Sequence, residues 1–238
     1  GHYIDEHAAL GHRRLSIIDL GGGQQPIYNE DGSKVITFNG EIYNYQTLRE
    51  ELIAAGHTFT TKSDTEVLLH GYEQWGVDLL QRVRGMFTFV IWDKNKQELF
   101  GARDHFGIKP FYYAKMNGTF MYASEIKSLL RHPDFVKELN AEALKPYMTF
   151  QYPAIGETFF KGVYKLPEGH YFTYRDGKMD IHRYYDEDFR EGKQKLGELV
   201  NSIDQTVCDS VKAHQIADVE VGSFLSSGVD SSYVAAVA

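Results

Sequence analysis

The stretch FNGEIYNYQTLREELIAAGHTFTTKSDTEVLLHGYEQWG, residues 38–76, holds two helix patterns behind one polar apex. Leu48, Leu52 and Ile53 share one face of a helix over 47–55, and Gly56 is placed to end it. Ser63 and Glu66 make an S-x-x-E capping box, which predicts a second helix over 64–75, stopping at Gly76. Ahead of both, residues 34–38 alternate as a strand and run into Asn39-Gly40. Asn-Gly commonly turns a hairpin. Here Tyr45 leads straight into the first helix and no return strand follows, so strand–turn–helix is the expected reading. An asparagine amide and a glycine N–H presented to one point are the donors an oxyanion hole needs.

Working outward, residues 86–92 read as a strand, 93–96 as a turn and 98–102 as a return strand. Residues 111–115 and 119–123 flank Asn117-Gly118, and 171–175 and 178–181 flank Asp176-Gly177; both are hairpin signals. A short helix is expected over 139–148. The fold class is α+β. Residues 186–195 are almost wholly charged or glycine and read as a linker. Beyond them, Leu199, Ile203, Val207 and Val211 mark an amphipathic helix over 196–211. An apolar strand over 219–225, a loop at Ser226-Ser227-Gly228 and the first turn of a small-residue helix come next. The expected division is one domain over 1–186, a linker over 187–195, and the start of another domain over 196–238.

Composition narrows the classes. Lys+Arg is 25 against Asp+Glu 33, a formal charge of −8, which argues against a nucleic-acid binder. A hydrophobic content of 42% is enough for a packed core. No run has the length of a membrane span and no signal-peptide pattern opens the chain. The single cysteine, Cys208, excludes an intrachain disulfide and fits a reducing cytoplasm. Because the chain starts at Gly1, it is expected to be a piece of a longer protein.

The residues with chemistry to offer fall into two groups. Arg13 and Arg14 precede an apolar segment read as a strand, and Arg14 can grip a carboxylate with two N–H groups. Asp64, on the first turn of the second helix, either pairs with the helix dipole or binds an ammonium group. With Asn39 and Gly40, they describe a pocket for a zwitterionic amino acid with a carboxamide side chain; glutamine fits. At the other end, a loop of small residues before a helix favours phosphate. Asp230 makes sense there with a divalent cation such as Mg²⁺. The loop lacks the lysine of a Walker A motif, and an ordinary turn with Ser231 or Asp230 as N-cap is its plain alternative. Of the ten histidines, His57, His70, His105 and His132 have no partner at ligand spacing, and His2, His7 and His12 share no helix face. All read as surface or hydrogen-bonded residues, and Cys208 as a small apolar helix residue.

The segments ALGHRRLSIIDL, FNGEIYNY, SDTEVLLHGYEQWG, GMFTFVIWD, ARDHFGIKPFYYA and ASEIKSLL resemble, in order, motifs of class II glutamine amidotransferases. The likeness is greatest to the glutamine-hydrolysing asparagine synthetase family, and FKGVYKLPEGHYF and RYYD extend it. SSGVDSS resembles the S-G-G-x-D-S loop of PP-loop ATP pyrophosphatases, with Ser227 where that family has a glycine. The resemblance implies an Ntn-hydrolase αββα sandwich followed by the first helix, strand and loop of an α/β ATP-pyrophosphatase domain. It implies glutamine hydrolysis feeding ammonia to an ATP- and Mg²⁺-dependent amidation of aspartate through β-aspartyl-AMP, in a cytoplasmic homodimer. By position, Arg14 matches the binder of the glutamine carboxylate and Ile17 and Ile18 the backbone lining the pocket. Asn39 and Gly40 match the oxyanion hole, Glu41 the residue beside it and Asp64 the ammonium binder. Phe224 matches the position by the adenine site, and Ser226, Gly228, Asp230 and Ser231 the pyrophosphate loop. The family's nucleophile is an N-terminal cysteine, which residues 1–238 do not contain. Alternatives are a β-lactam-synthetase-like relative with an inert front domain, and a glutamine-binding fragment without catalysis.

Overall fold

The computed structural model describes residues 1–238 except 16, 20, 153 and 154. Its strands are β1 (His2–Ile4), β2 (Ala9–Gly11), β3 (Ile27–Tyr28), β4 (Lys34–Ile42), β5 (Gly85–Asp93), β6 (Glu98–Arg103), β7 (Tyr112–Met116), β8 (Thr119–Ala123), β9 (Val163–Lys165), β10 (His170–Arg175) and β11 (Lys178–Arg183). Its α-helices are α1 (Tyr45–Ala54), α2 (Asp64–Trp75), α3 (Ile126–Leu129), α4 (Leu144–Phe150), α5 (Leu196–His214) and α6 (Val229–Val237). A six-stranded antiparallel sheet runs β11-β10-β6-β5-β4-β3, and a three-stranded one β8-β7-β9.

The period-two pattern of the central strands decides the layering. Ile36, Phe38 and Ile42 of β4 and Phe87, Phe89 and Ile91 of β5 turn to one side, where Leu48 and Leu52 of α1 and Val67, Leu68 and Leu69 of α2 cover them. Val35, Val90 and Trp92 turn to the other, toward Phe111, just ahead of β7, and Phe120 and Tyr122 of β8. The outer side of that sheet packs Ala114, Met121 and Val163 against Ile126 and Leu129 of α3. The layers are therefore α, β, β, α. Each of these large apolar side chains contributes on the order of 1.5–3 kcal/mol when fully buried.

Several local expectations change. The strand predicted over 34–38 runs on to Ile42, so Asn39 and Gly40 pair with Thr88 and Phe87 instead of forming a turn. Glycine is what permits this: Gly40 has φ 155°, and a Cβ there would lie 2.1 Å from the Met86 carbonyl oxygen. The chain turns later, at Tyr43 and Asn44, where the Asn44 side chain bonds Arg82 O and Arg84 N. Ser63 does cap α2, accepting the Thr65 N–H, but the capping box is not closed. Glu66 reaches Thr60 and Thr61 instead of the Ser63 N–H. The helix expected over 139–148 is a 3₁₀ turn, Ala141–Ala143, followed by α4. Around the arginines, the described residues of 15–20 form no strand. Residues 219–225 form none either, because no neighbouring strand offers them a ladder among the described residues. The other two turns behave as read: Asn117-Gly118 and Asp176-Gly177 have positive φ at both positions, the type I′ geometry.

Candidate functional site: a cavity at the end of β4

A cavity of about 1090 Å³ opens between the sheets, and its lining includes Arg14, Ile17, Ile18, Asn39, Gly40, Glu41 and Asp64. All the residues singled out in the front domain thus meet in one space. They come from a loop after β2, from β4 and from the first turn of α2.

The edge of β4 is the most informative part. At Ile36 its backbone pairs with Ile27 of β3. Two residues on, β3 has ended and a side chain takes its place. Gln25 accepts the Phe38 N–H at 2.6 Å and donates to the Phe38 carbonyl at 3.0 Å. Four residues further, the Ile42 N–H donates to Asp64 Oδ2 at 3.0 Å. In an antiparallel strand alternate N–H groups point the same way. The Gly40 N–H therefore points to this edge too, between Gln25 and Asp64, into the cavity. The Asn39 side chain, on the sheet face, donates to Ser124 Oγ at 3.1 Å.

Asp64 is 4% exposed. Burial pushes its carboxyl up to about 6, against the opposing pull of the Ile42 N–H, Ser63, Thr65 and the Arg14 charge. Arg14 donates to the carbonyls of Asp19, at 2.8 Å, and Ile18. Its guanidinium packs on Gly23, where a Cβ would lie 2.7 Å away. The loop carrying it is braced from two sides. Asp19 accepts the Lys62 N–H at 2.9 Å, just ahead of α2. Asp218, beyond α5, accepts the Asp19 N–H at 2.7 Å and donates its own N–H to the Ile17 carbonyl at 3.0 Å.

Gln25, Asp19 and Asp218 carry no signal in the sequence, since each acts through a distant backbone, and Ser124 carries none because its partner is the distant Asn39 side chain. The ARD motif, residues 102–104, does carry one. Buried Arg103 donates to the carbonyls of Lys109, Gly107 and Leu166, and buried Asp104 accepts from Phe87, Phe106, Ile108 and Lys109. Together they shape loop 104–110.

The distal group is less enclosed. Ser226, Gly228, Asp230 and Ser231 sit at the start of α6, with Ser226 Oγ 3.0 Å from Ser231 Oγ. Gly228 is the N-cap, so neither Asp230 nor Ser231 takes that place. Ser227 adopts φ 62°, the left-handed region that favours glycine. Phe224 is 98% exposed. Cys208 lies on α5 and does not line the cavity. His57 and His70, read as lacking a partner at ligand spacing, do come together, with Glu30 and Glu73. No helix among the described residues is long and apolar enough to cross a membrane.

The α, β, β, α layers and the cavity at the end of β4 both fall within the stretch that defines the class of this protein, a glutamine amidotransferase domain. The chain belongs to the Glutamine amidotransferase domain family, which matches residues 1–185, and residues 202–238 match the Asparagine synthase family. Over its whole length it is 46% identical to "Asparagine synthetase [glutamine-hydrolyzing] 1" of Bacillus subtilis, of which it covers 38%. It is 36% identical to "Amidase chry2" of Gibberella zeae over 97% of this chain and 35% of that protein. A solved structure of "the allosteric regulatory enzyme of purine biosynthesis" superposes with a TM-score of 0.53 at 22% identity, covering 75% of this chain and 35% of that one, a likeness of fold. The chain thus spans well under half the length of the curated relatives it matches.

Proposed function

We propose that residues 1–186 are the glutamine-hydrolysing part of an asparagine synthetase, that 187–195 link it to the next domain, and that 196–238 begin the ATP-dependent part. In this reading glutamine gives up its amide nitrogen in the front domain. Ammonia then converts β-aspartyl-AMP, made from aspartate and ATP, to asparagine, with AMP and pyrophosphate leaving. The protein works in the cytoplasm as a homodimer.

The observation that carries the reading is the Gly40 N–H at the open edge of β4. Its flanking N–H groups are taken by Gln25 and Asp64. A fixed backbone donor facing a cavity stabilises an oxyanion as charge develops, without reorganising. Asn39, held by Ser124, supplies the other donor. Asp64 and Arg14, both on the cavity wall, meet the ammonium and carboxylate of the substrate. Ile17, Ile18 and Glu41 shape the remaining wall. Glutamine hydrolysis needs a nucleophile, which this reading assigns to an N-terminal cysteine of the longer protein, with its own amino group as base.

For ATP, the reading assigns Phe224 to the adenine side and Ser226, Gly228 and Ser231 to the pyrophosphate. The donor set fits: serine hydroxyls and a glycine N-cap start a helix of nine residues. Asp230 is the carboxylate this reading assigns to share a Mg²⁺ with the phosphates, where the ion would supply neutralisation of phosphate charge.

The test uses the longer protein. Asp64→Asn raises the KM for glutamine at least about tenfold and leaves ammonia-driven asparagine synthesis unchanged. Asp230→Ala abolishes ATP-dependent synthesis and leaves glutamine hydrolysis intact. Equal loss of glutamine- and ammonia-driven synthesis in Asp64→Asn overturns the placing of Asp64. No asparagine from either nitrogen source in the unaltered protein overturns the product.

A further inference from the structure

Glu30 of the β3–β4 connection, His57 after α1, and His70 and Glu73 of α2 bring one ligand atom each within 4.8 Å of one another. None of them lines the cavity described above. His57 Nδ1 is 3.1 Å from Glu30 Oε1. His70 Nδ1 is 3.3 Å from Glu30 Oε2 and 3.1 Å from Glu73 Oε2.

The far sides of these groups are what make a site of them. His70 Nε2 is 3.4 Å from Glu66 Oε1, and Glu66 is 1% exposed and held by the N–H groups of Thr60 and Thr61. His57 Nε2 is 3.3 Å from Gln74 Oε1. An acceptor at Nε2 keeps that proton in place and turns the Nδ1 lone pair inward, the arrangement by which outer carboxylates and amides orient metal-binding imidazoles. The carboxylates are oriented as well. Glu73 Oε1 is engaged by Asn29 Nδ2 at 2.7 Å and Lys34 Nζ at 3.4 Å, leaving Oε2 toward the rings. The Thr58 N–H holds Glu30 Oε1 at 3.1 Å. The Phe59 ring packs edge-on against His70 and walls off one side.

We propose that Glu30, His57, His70 and Glu73 bind a divalent transition-metal cation, with zinc the best match to two imidazoles and two carboxylates. Metal binding replaces the contacts among these side chains with bonds from the ion to all four. The ion would rivet α2 to the β3–β4 connection and to the segment after α1. Its role is structural, since the four ligands leave no open position.

The purified protein, stripped with a chelator, is titrated with Zn²⁺ and separately with Co²⁺. The expected result is one zinc retained per chain after dialysis and tetrahedral Co²⁺ absorption in the visible. The thermal midpoint rises by at least about 4 °C at saturating zinc. Glu30→Gln and His57→Ala, both at positions reached by solvent, weaken binding more than about tenfold and lose the cobalt spectrum. His182→Ala, on the exposed side of β11, retains both. Circular dichroism reports whether each variant is folded, and the isosteric Glu30→Gln decides if His57→Ala is not. No retained zinc, or zinc retained equally by Glu30→Gln, overturns the proposal.

Discussion

Asp64 Oδ2 accepts the backbone N–H of Ile42 at 3.0 Å, so one carboxylate joins the first residue of α2 to the last residue of β4. The contact closes the row of N–H groups along the strand edge and fixes how the helix sits above the cavity. It also places a charge where water is scarce.

That charge makes stability depend on pH. In the folded chain Asp64 is pushed up to about 6 from an ordinary 3.8, chiefly by burial. Between these values the folded state holds a proton that the unfolded state does not. The carboxyl therefore opposes folding fully above about pH 6 and not at all below about pH 4. In Asp64→Asn this dependence is absent, and the Asn carbonyl can still accept the Ile42 N–H. Relative to the unaltered protein, the variant gains on the order of 3 kcal/mol between pH 4 and pH 7. Urea denaturation of the two proteins across that range measures it, and a constant offset contradicts it.

Gln25 substitutes for a strand. Replacing it with leucine leaves a buried N–H and carbonyl of Phe38 unpaired, which costs about 2–4 kcal/mol in total. Chemical denaturation reads the loss. A cost below about 1 kcal/mol means that water or a shift of the chain satisfies both groups.

Gly40→Ala tests whether the close approach of β4 to β5 is required. The added Cβ would lie 2.1 Å from Met86 O and 2.7 Å from Phe87 Cα, both backbone atoms of the next strand. A destabilisation of about 3 kcal/mol is expected, together with loss of glutamine hydrolysis in the longer protein. Gly56→Ala, also at positive φ but with open space around it, costs only about 1–2 kcal/mol and keeps activity.

Asp218 reaches from the segment after α5 to the loop that carries Arg14. Asp218→Ala removes its carboxylate bond to the Asp19 N–H and loosens that loop. The KM for glutamine should rise about threefold to tenfold, with ammonia-driven synthesis unchanged. An unchanged KM shows that the bond to the Lys62 N–H and the backbone bond from Asp218 to Ile17 hold the loop without the carboxylate.

Arg14, Asn39, Gly40 and Asp64 of the cavity wall were nameable from the sequence, but their geometry was not, and Gln25 and Ser124 were not nameable at all. Asn39-Gly40 illustrates the difference. The dipeptide has the composition of a turn, and only the presence of β5 alongside shows that glycine serves close strand contact here. Glu66 shows it again: three residues after Ser63 it has the spacing of a capping box, but Thr60 and Thr61 offer more donors, and His70 lies one turn on. The predicted strand over 219–225 fails for a related reason, since a strand is a property of a pair.

What the sequence by itself determined is whatever depends on neighbours within one turn or one hairpin. That covers α2 with its Ser63 cap, the type I′ turns at Asn117-Gly118 and Asp176-Gly177, and the apolar run that becomes β5, buried on both sides. Tertiary structure decided whatever depends on groups far apart in the chain. It decided that Gln25 completes the sheet edge, that Asp64 meets Ile42, that Asp218 braces the Arg14 loop, and that Glu30, His57, His70 and Glu73 share one point. Local propensities arise from backbone sterics and side-chain spacing, which the order of residues states directly. Directed bonds between distant groups exist only once the layers have packed and excluded the water that would otherwise satisfy them.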